Sequence, residues 1–188
     1  MKILAIETSC DETAVAVLEC WSGLKNPQFK ILSNIVSSQV KIHAKWGGVV
    51  PNLAKREHER NLTLVLKRAL KNAKLLKLTA QKSKPQKYKI AEKILVKEQD
   101  LLKNFLLLIP KIKKPDIDAI AVTSGPGLEP ALWSGINFAK TLSIIWNKPL
   151  IPINHMEGHI FSAFISGKGF SISNLQFPIL ALLISGGH

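Results

Sequence analysis

Apolar residues recur along this chain with two periods, and the period changes with position. Short apolar runs at Lys2–Glu7 and Ala14–Leu18 flank a polar turn, Thr8-Ser9-Cys10-Asp11-Glu12-Thr13, and a third run spans Phe29–Val36. Runs of this length bounded by turn residues predict strands: a hairpin with acids and hydroxyls at its tip, extended into a meander. A Gly47-Gly48 turn follows, and after Pro51 the spacing lengthens. Leu62, Val65, Leu66, Ala69 and Leu70 fall on one face of a helix that Pro51 is suited to start. His58 lies on that helix and reads as a surface or capping residue. The stretch from Leu75 to Pro115 is Lys-rich, contains Pro85 and carries a second amphipathic segment from about Ile90 to Leu108. It reads as an insertion or helical excursion.

Beyond it, Ile117–Val122 has the apolar character of a buried strand. The turn Thr123-Ser124-Gly125-Pro126-Gly127 leads into a helix from about Pro130 to Trp146. Leu150–Ile153 is the next strand, and a helix carrying two histidines follows. Strand, helix, strand and helix in succession predict parallel strands with crossover helices. A Gly/Ser-rich link, Ser166–Ser173, precedes one more expected strand, Phe177–Ile184, which ends in Ser185-Gly186-Gly187-His188. No internal repeat is visible.

Length and composition add bounds. The 188 residues, 46% hydrophobic, suffice for one core or for part of a two-domain protein. No apolar run approaches the roughly 18 residues of a membrane span, and Met1–Glu7 runs into polar residues without a signal-peptide pattern. Cys10 and Cys20 form no CxxC and read as reduced thiols in a cytoplasmic protein. The net charge of +13 is concentrated: Lys67–Lys114 holds 15 Lys and Arg against 3 acids. That excess suits phosphate contact, and it equally suits a solvated helical face.

The candidate chemistry centres on Asn154-His155-Met156-Glu157-Gly158-His159. On a helix, His155 and His159 share a face and can converge on one metal ion, although two ligands do not complete a site. A His-Glu-x-x-His peptidase would carry glutamate beside the first ligand, where Met156 stands. Asp11 and Glu12 are either plain turn residues or acids able to hold water or a metal. The glycine turn before the Pro130–Trp146 helix either aims amides at an anion or serves only the turn.

Taken in order, these segments resemble the TsaD family of tRNA threonylcarbamoyladenosine transferases, of bacterial type, formerly called glycoproteases. The resemblance runs through Ile6-Glu7-Thr8-Ser9-Cys10-Asp11-Glu12-Thr13, His43 with Gly47-Gly48-Val49-Val50-Pro51, and Ser124-Gly125-Pro126-Gly127-Leu128. It continues from Lys140 through Trp146-Asn147-Lys148-Pro149 to His155–Ile160, and closes with Leu183-Ile184-Ser185-Gly186-Gly187-His188. It implies an α/β fold of the actin-like, sugar-kinase-like or ribonuclease-H-like class, with a mixed sheet. Residues 1–174 would form the amino-terminal lobe, with the Lys-rich insertion at about 75–115, and 175–188 the first strand of a largely missing second lobe. The implied reaction passes a threonylcarbamoyl group from threonylcarbamoyl-AMP to N6 of adenosine 37 in tRNAs reading codons that begin with A. By the same resemblance, His155 and His159 would ligate one divalent metal ion, iron or zinc. Leu183, Ile184, Ser185, Gly186 and Gly187 would contact the donor, and Asp11 and Glu12 would sit near the reacting centre. Family members are about twice as long, and their third metal ligand is an aspartate of the second lobe, for which Asp116 and Asp118 are poor substitutes. The 188 residues alone are therefore expected to bind metal weakly and transfer nothing. Expected partners are tRNA and TsaB-like and TsaE-like proteins, with a heterodimer allowed and no membrane. The alternatives are a non-catalytic actin-like dimerisation partner and a metallopeptidase.

Overall fold

The computed structural model describes residues 1–21, 28–79, 88–165, 169–171 and 178–183. Its first three strands, β1 (Lys2–Glu7), β2 (Glu12–Trp21) and β3 (Gln28–Ser38), form the expected antiparallel meander. Alternation sets their faces. Leu4, Ile6, Val15 and Val17 are buried under helices, while Ala5, Glu7, Ala14 and Ala16 point to the other side and are half-buried. A short helix, α1 (Val40–His43), leads through the Gly47 turn, where φ is +70°, into α2 (Pro51–Asn72) with Pro51 in its first turn.

β4 (Ala119–Gly125) pairs in parallel with β1, from Ile3 with Ala119 to Ile6 with Val122. The helix α5 (Glu129–Trp146) then crosses back, and β5 (Leu150–Asn154) pairs in parallel with β4. Asn147 ends α5 in a left-handed conformation, φ +49°, and Lys148-Pro149 carries the chain away. The sheet order is β5-β4-β1-β2-β3 and then a short edge strand at Gly169–Ser171, β6, with β1 in the middle between an antiparallel and a parallel neighbour. This is a mixed α/β sheet, as the sequence led one to expect.

Three sequence expectations are corrected here. β6 (Gly169–Ser171), which pairs with Gln28–Lys30, lies inside the stretch read as a Gly/Ser link. An edge strand such as β3 offers unpaired amides and carbonyls that even a short glycine-containing segment can take. The expected strand at Phe177–Ile184 is absent over residues 178–183, which form no ladder; Leu180 and Leu182 there are 99% and 83% exposed. Those residues have no strand beside them among the described residues, and an isolated strand cannot satisfy its backbone. His58, read as a surface or capping residue, is buried.

The Lys-rich stretch has two faces. α3 (Lys89–Ile94) and α4 (Gln99–Leu108) replace the single amphipathic segment, and Leu95, Leu101, Phe105 and Ile109 are fully buried. Phe105 meets Phe138 of α5 edge-on, with centroids 5.9 Å apart. At about 1.5–3 kcal/mol for each fully buried large apolar side chain, these positions belong to the core and stabilise it. The described lysines of the stretch are all exposed. Its ends are pinned by Thr79 N–H donating to the Lys111 carbonyl (2.9 Å) and Lys113 N–H to the Lys77 carbonyl (2.8 Å).

Candidate functional site

The site lies at the carboxyl ends of β1, β4 and β5, where three loops meet. α6 (His155–Ser162) begins directly after β5 because Asn154 caps it: the Asn154 carboxamide accepts from Met156 N–H (2.8 Å) and Glu157 N–H (3.3 Å). Glu157 thereby falls in the first helical turn, where a negative charge is favoured by the helix dipole. His155 and His159 project from one face, as their spacing requires. Their Nε2 atoms are 3.0 Å apart and their rings meet at 81°.

Behind His155 stands Glu7, the last residue of the central strand. The Glu7 carboxylate accepts from Ser9 N–H and from the Thr123 hydroxyl, and its Oε2 lies 3.4 Å from His155 Nδ1. Ser9 Oγ is 3.2 Å from the same nitrogen. His155 thus touches β1, the loop after β1 and, through Glu7, β4. Its side chain is only 14% exposed, so the ring is held rather than swept by solvent.

The glycine turn before α5, which could aim amides at an anion or serve only the turn, packs against the Ser9 backbone. Leu128 N–H donates to the Ser9 carbonyl at 2.7 Å, and a Cβ placed on Gly127 would lie 2.7 Å from that oxygen and 2.8 Å from Ser9 Cβ. Gly127 is therefore glycine because the Ser9 backbone comes this close. Gly125 has φ +146° and its peptide bond to Pro126 is cis.

A second cluster supports the loop from below. His58 Nε2 is 2.9 Å from the Cys10 carbonyl and its Nδ1 is 2.8 Å from Thr13 Oγ1; Gln39 Nε2 lies 3.4 Å from Nδ1. Gln39 Oε1 is 2.9 Å from His43 Nε2, and Val50 N–H donates to His43 Nδ1 (3.3 Å). One set of tautomers fits these contacts, with Nε2–H on both histidines. Burial pushes the His58 pKa below its ordinary value of 6.5, outweighing the Cys10 carbonyl and the nearby Glu7 and Asp11 charges. The Cys10 thiol is pushed up to about 11, first by burial and then by Asp11.

Asp11 lies beside the Cys10 thiol, while Glu12 is exposed at the hairpin tip, opposite Ser38. Both are on the loop that carries Ser9 to His155. Asp116 and Asp118 are at the opposite end of the sheet: Asp118 Oδ2 accepts from Lys2 N–H at 2.6 Å, and Asp116 pairs with the Lys2 ammonium. Leu183 is 42% exposed, and Ile184, Ser185, Gly186 and Gly187 lie outside the described residues. Among the described residues no three His, Cys, Asp or Glu side chains form a metal cage. What is present is a pair of facing imidazoles. Two nitrogens each about 2.0–2.1 Å from one tetrahedral zinc are about 3.3 Å apart, close to the 3.0 Å found, and their chemistry fits zinc or iron.

Glu7, Ser9 and Thr123 escaped the sequence reading. The available signal was a carboxylate ending an otherwise apolar strand directly before Thr-Ser.

Two clefts flank the site. One of about 190 Å³ opens beside Glu7 and Thr123 over Ala5, Ala14, Ala16 and Ala121. Another, about 360 Å³ and apolar, lies between Ile31 of β3 and Phe161 of α6, lined by neither histidine. No helix among the described residues is long and apolar enough to cross a membrane.

The family model for TsaD, tRNA N6-adenosine threonylcarbamoyltransferase, matches residues 30–81 and 90–188. Proteins of that name from Persephonella marina, Thermosipho melanesiensis and Thermomicrobium roseum are 45%, 43% and 41% identical over the whole chain. The chain spans only 40%, 42% and 40% of their respective lengths. Among solved structures, YeaZ from Pseudomonas aeruginosa aligns over 82% of this chain and 45% of its own, with 15% identity and a TM-score of 0.40.

Proposed function

Since this chain belongs to the TsaD family of tRNA N6-adenosine threonylcarbamoyltransferases, we propose that it forms part of an enzyme transferring threonylcarbamoyl from threonylcarbamoyl-AMP to N6 of adenosine 37. The acceptors are tRNAs reading codons that begin with A, and the partners are TsaB-like and TsaE-like proteins in the cytoplasm. The observation that carries this reading is the contact of Ser9 Oγ with His155, which brings the acid-bearing loop onto the histidine helix.

In the transfer, the N6 amine attacks the carbamoyl carbon and a C–N bond forms. The C–O bond to the phosphate breaks, AMP leaves with the electron pair, and one N6 proton must go to a base. His155 and His159 would hold a zinc or iron ion, which when bound supplies a Lewis acid for the carbamoyl oxygen. Asp11 or Glu12, two and three residues beyond Ser9, would orient the amine or take its proton. A further ligand has to come from outside the described residues.

The test is nucleoside mass spectrometry of tRNA from cells lacking the gene, complemented with the wild-type gene or with His155→Ala. Restoration of threonylcarbamoyladenosine by wild type alone is the expected result, and equal restoration by both would refute the assignment. Glu12→Gln should slow transfer while leaving metal content unchanged; full activity would remove Glu12 from the mechanism.

A further inference from the structure

We propose that Glu7 is a positioning residue that fixes the tautomer and ring plane of His155, keeping the Nε2 lone pair available to a metal ion; the inference rests on the metal-centre reading above. An ionised carboxylate only accepts hydrogen bonds, and each neighbour of Glu7 is a donor: Ser9 N–H on Oε1, the Thr123 hydroxyl on Oε2. The remaining neighbour, His155 Nδ1 at 3.4 Å from Oε2, joins the set as Nδ1–H. Ser9 Oγ, 3.2 Å from Nδ1, can accept from it as well. With the proton there, Nε2 is an acceptor, and it is this atom that faces His159 Nε2 at 3.0 Å. A carboxylate bound to the far nitrogen of a ligating histidine holds the ring and raises its basicity.

Two other roles for Glu7 fit less well. As a direct metal ligand it would have to stand beside Nε2, whereas it contacts the opposite nitrogen. As a simple loop anchor it would need only the Ser9 N–H contact; the second oxygen, shared by Thr123 and His155, would have no purpose. Glu7 is also placed to resist movement, because β1 is bonded on both sides, to β2 and β4, up to the residues that flank the site.

The experiment uses the full-length protein. In the metal-free wild type with ¹⁵N-labelled histidine, the ring signals of His155 should report the Nδ1–H form; an Nε2–H form would overturn the proposal without any variant. Glu7→Gln keeps a carbonyl for Ser9 N–H but replaces the acceptor that faces His155. It should shift His155 toward the other tautomer and weaken Zn²⁺ binding, measured by competition with a chromophoric chelator, by about 10–100-fold. A loop anchor would leave the tautomer in place. If Glu7→Gln leaves both tautomer and Zn²⁺ affinity unchanged while His155→Ala abolishes binding, the positioning role alone fails. If His155→Ala also binds Zn²⁺ like wild type, the metal-centre reading fails first.

Discussion

His58 and His155 are both imidazoles on helices, both bonded to the loop that follows β1, and they do opposite work. His58 is fully buried, with Cys10, Thr13 and Gln39 around its two nitrogens and burial holding it neutral. His155 has Glu7 and Ser9 Oγ at Nδ1, while its Nε2 lies 3.5 Å from Ser9 Oγ and 3.0 Å from His159 Nε2, a nitrogen that can itself bind metal. The first ring spends both nitrogens on the fold. The second turns one nitrogen toward another imidazole, and on the proposed metal-centre reading that pairing, more than burial or spacing, separates a supporting histidine from a ligating one.

The contrast is most sharply tested by exchanging losses. His155→Ala should reduce Zn²⁺ affinity by more than the roughly 10–100-fold typical of changes behind the ligands, with an unfolding midpoint near that of wild type. His58→Leu should do the reverse. It strands the Cys10 carbonyl and Thr13 hydroxyl in the interior and should cost about 2–4 kcal/mol in urea denaturation, with Zn²⁺ affinity falling only as far as the loop loosens. If both variants lose metal equally without loss of stability, the two histidines are not different in kind.

Gly127→Ala should blur the contrast, because the Ser9 backbone is shared by both regions. The added methyl group would press on the Ser9 carbonyl, which the Leu128 amide also holds, so stability should fall by about 1–3 kcal/mol and metal affinity should fall with it. Calorimetric unfolding and chelator competition on the same preparation would measure both, and an unperturbed alanine variant would mean that the turn yields easily.

A smaller effect concerns pH. The pKa of His58 is lower in the folded protein than in the unfolded chain, so between the two values the unfolded chain binds more protons and stability rises with pH. The contribution is complete above about 6.5 and is lost as pH falls below that value toward the folded pKa. The unfolding midpoint should drop on acidification through this window, and His58→Gln should flatten that part of the curve. Smallest of all, Ser9→Ala should cost under about 1 kcal/mol, since its hydroxyl makes a half-buried hydrogen bond, while broadening the His155 ring signals.

Much of the fold was legible because its periods are local. Leu4, Ile6, Val15 and Val17 alternate within their strands, and the buried face of α2 repeats every three to four residues. Pro51 and Asn147-Lys148-Pro149 mark helix ends by local backbone chemistry. The Lys-rich stretch was legible as an amphipathic helical excursion, but not as two helices whose Leu101 and Phe105, with Ile109 beyond them, enter the core. The histidine pair was legible from its i, i+4 spacing. Glu7 and His58 were not, since a carboxylate ending a strand and a histidine on a helix acquire meaning only from Thr123, His155, Cys10 and Thr13, which arrive through tertiary contacts.

Ser9 and His155 are 146 residues apart, and Thr8 reaches the Ala131 carbonyl across 123. On a ribosome adding about 5–20 residues each second, the meander of β1, β2 and β3 emerges roughly 6–25 seconds before the histidine helix that completes its tip. For that interval β1 has β2 on one side and an open edge on the other, waiting for β4. The nascent chain thus carries a finished hairpin with an unfinished seam until β4 and α6 arrive.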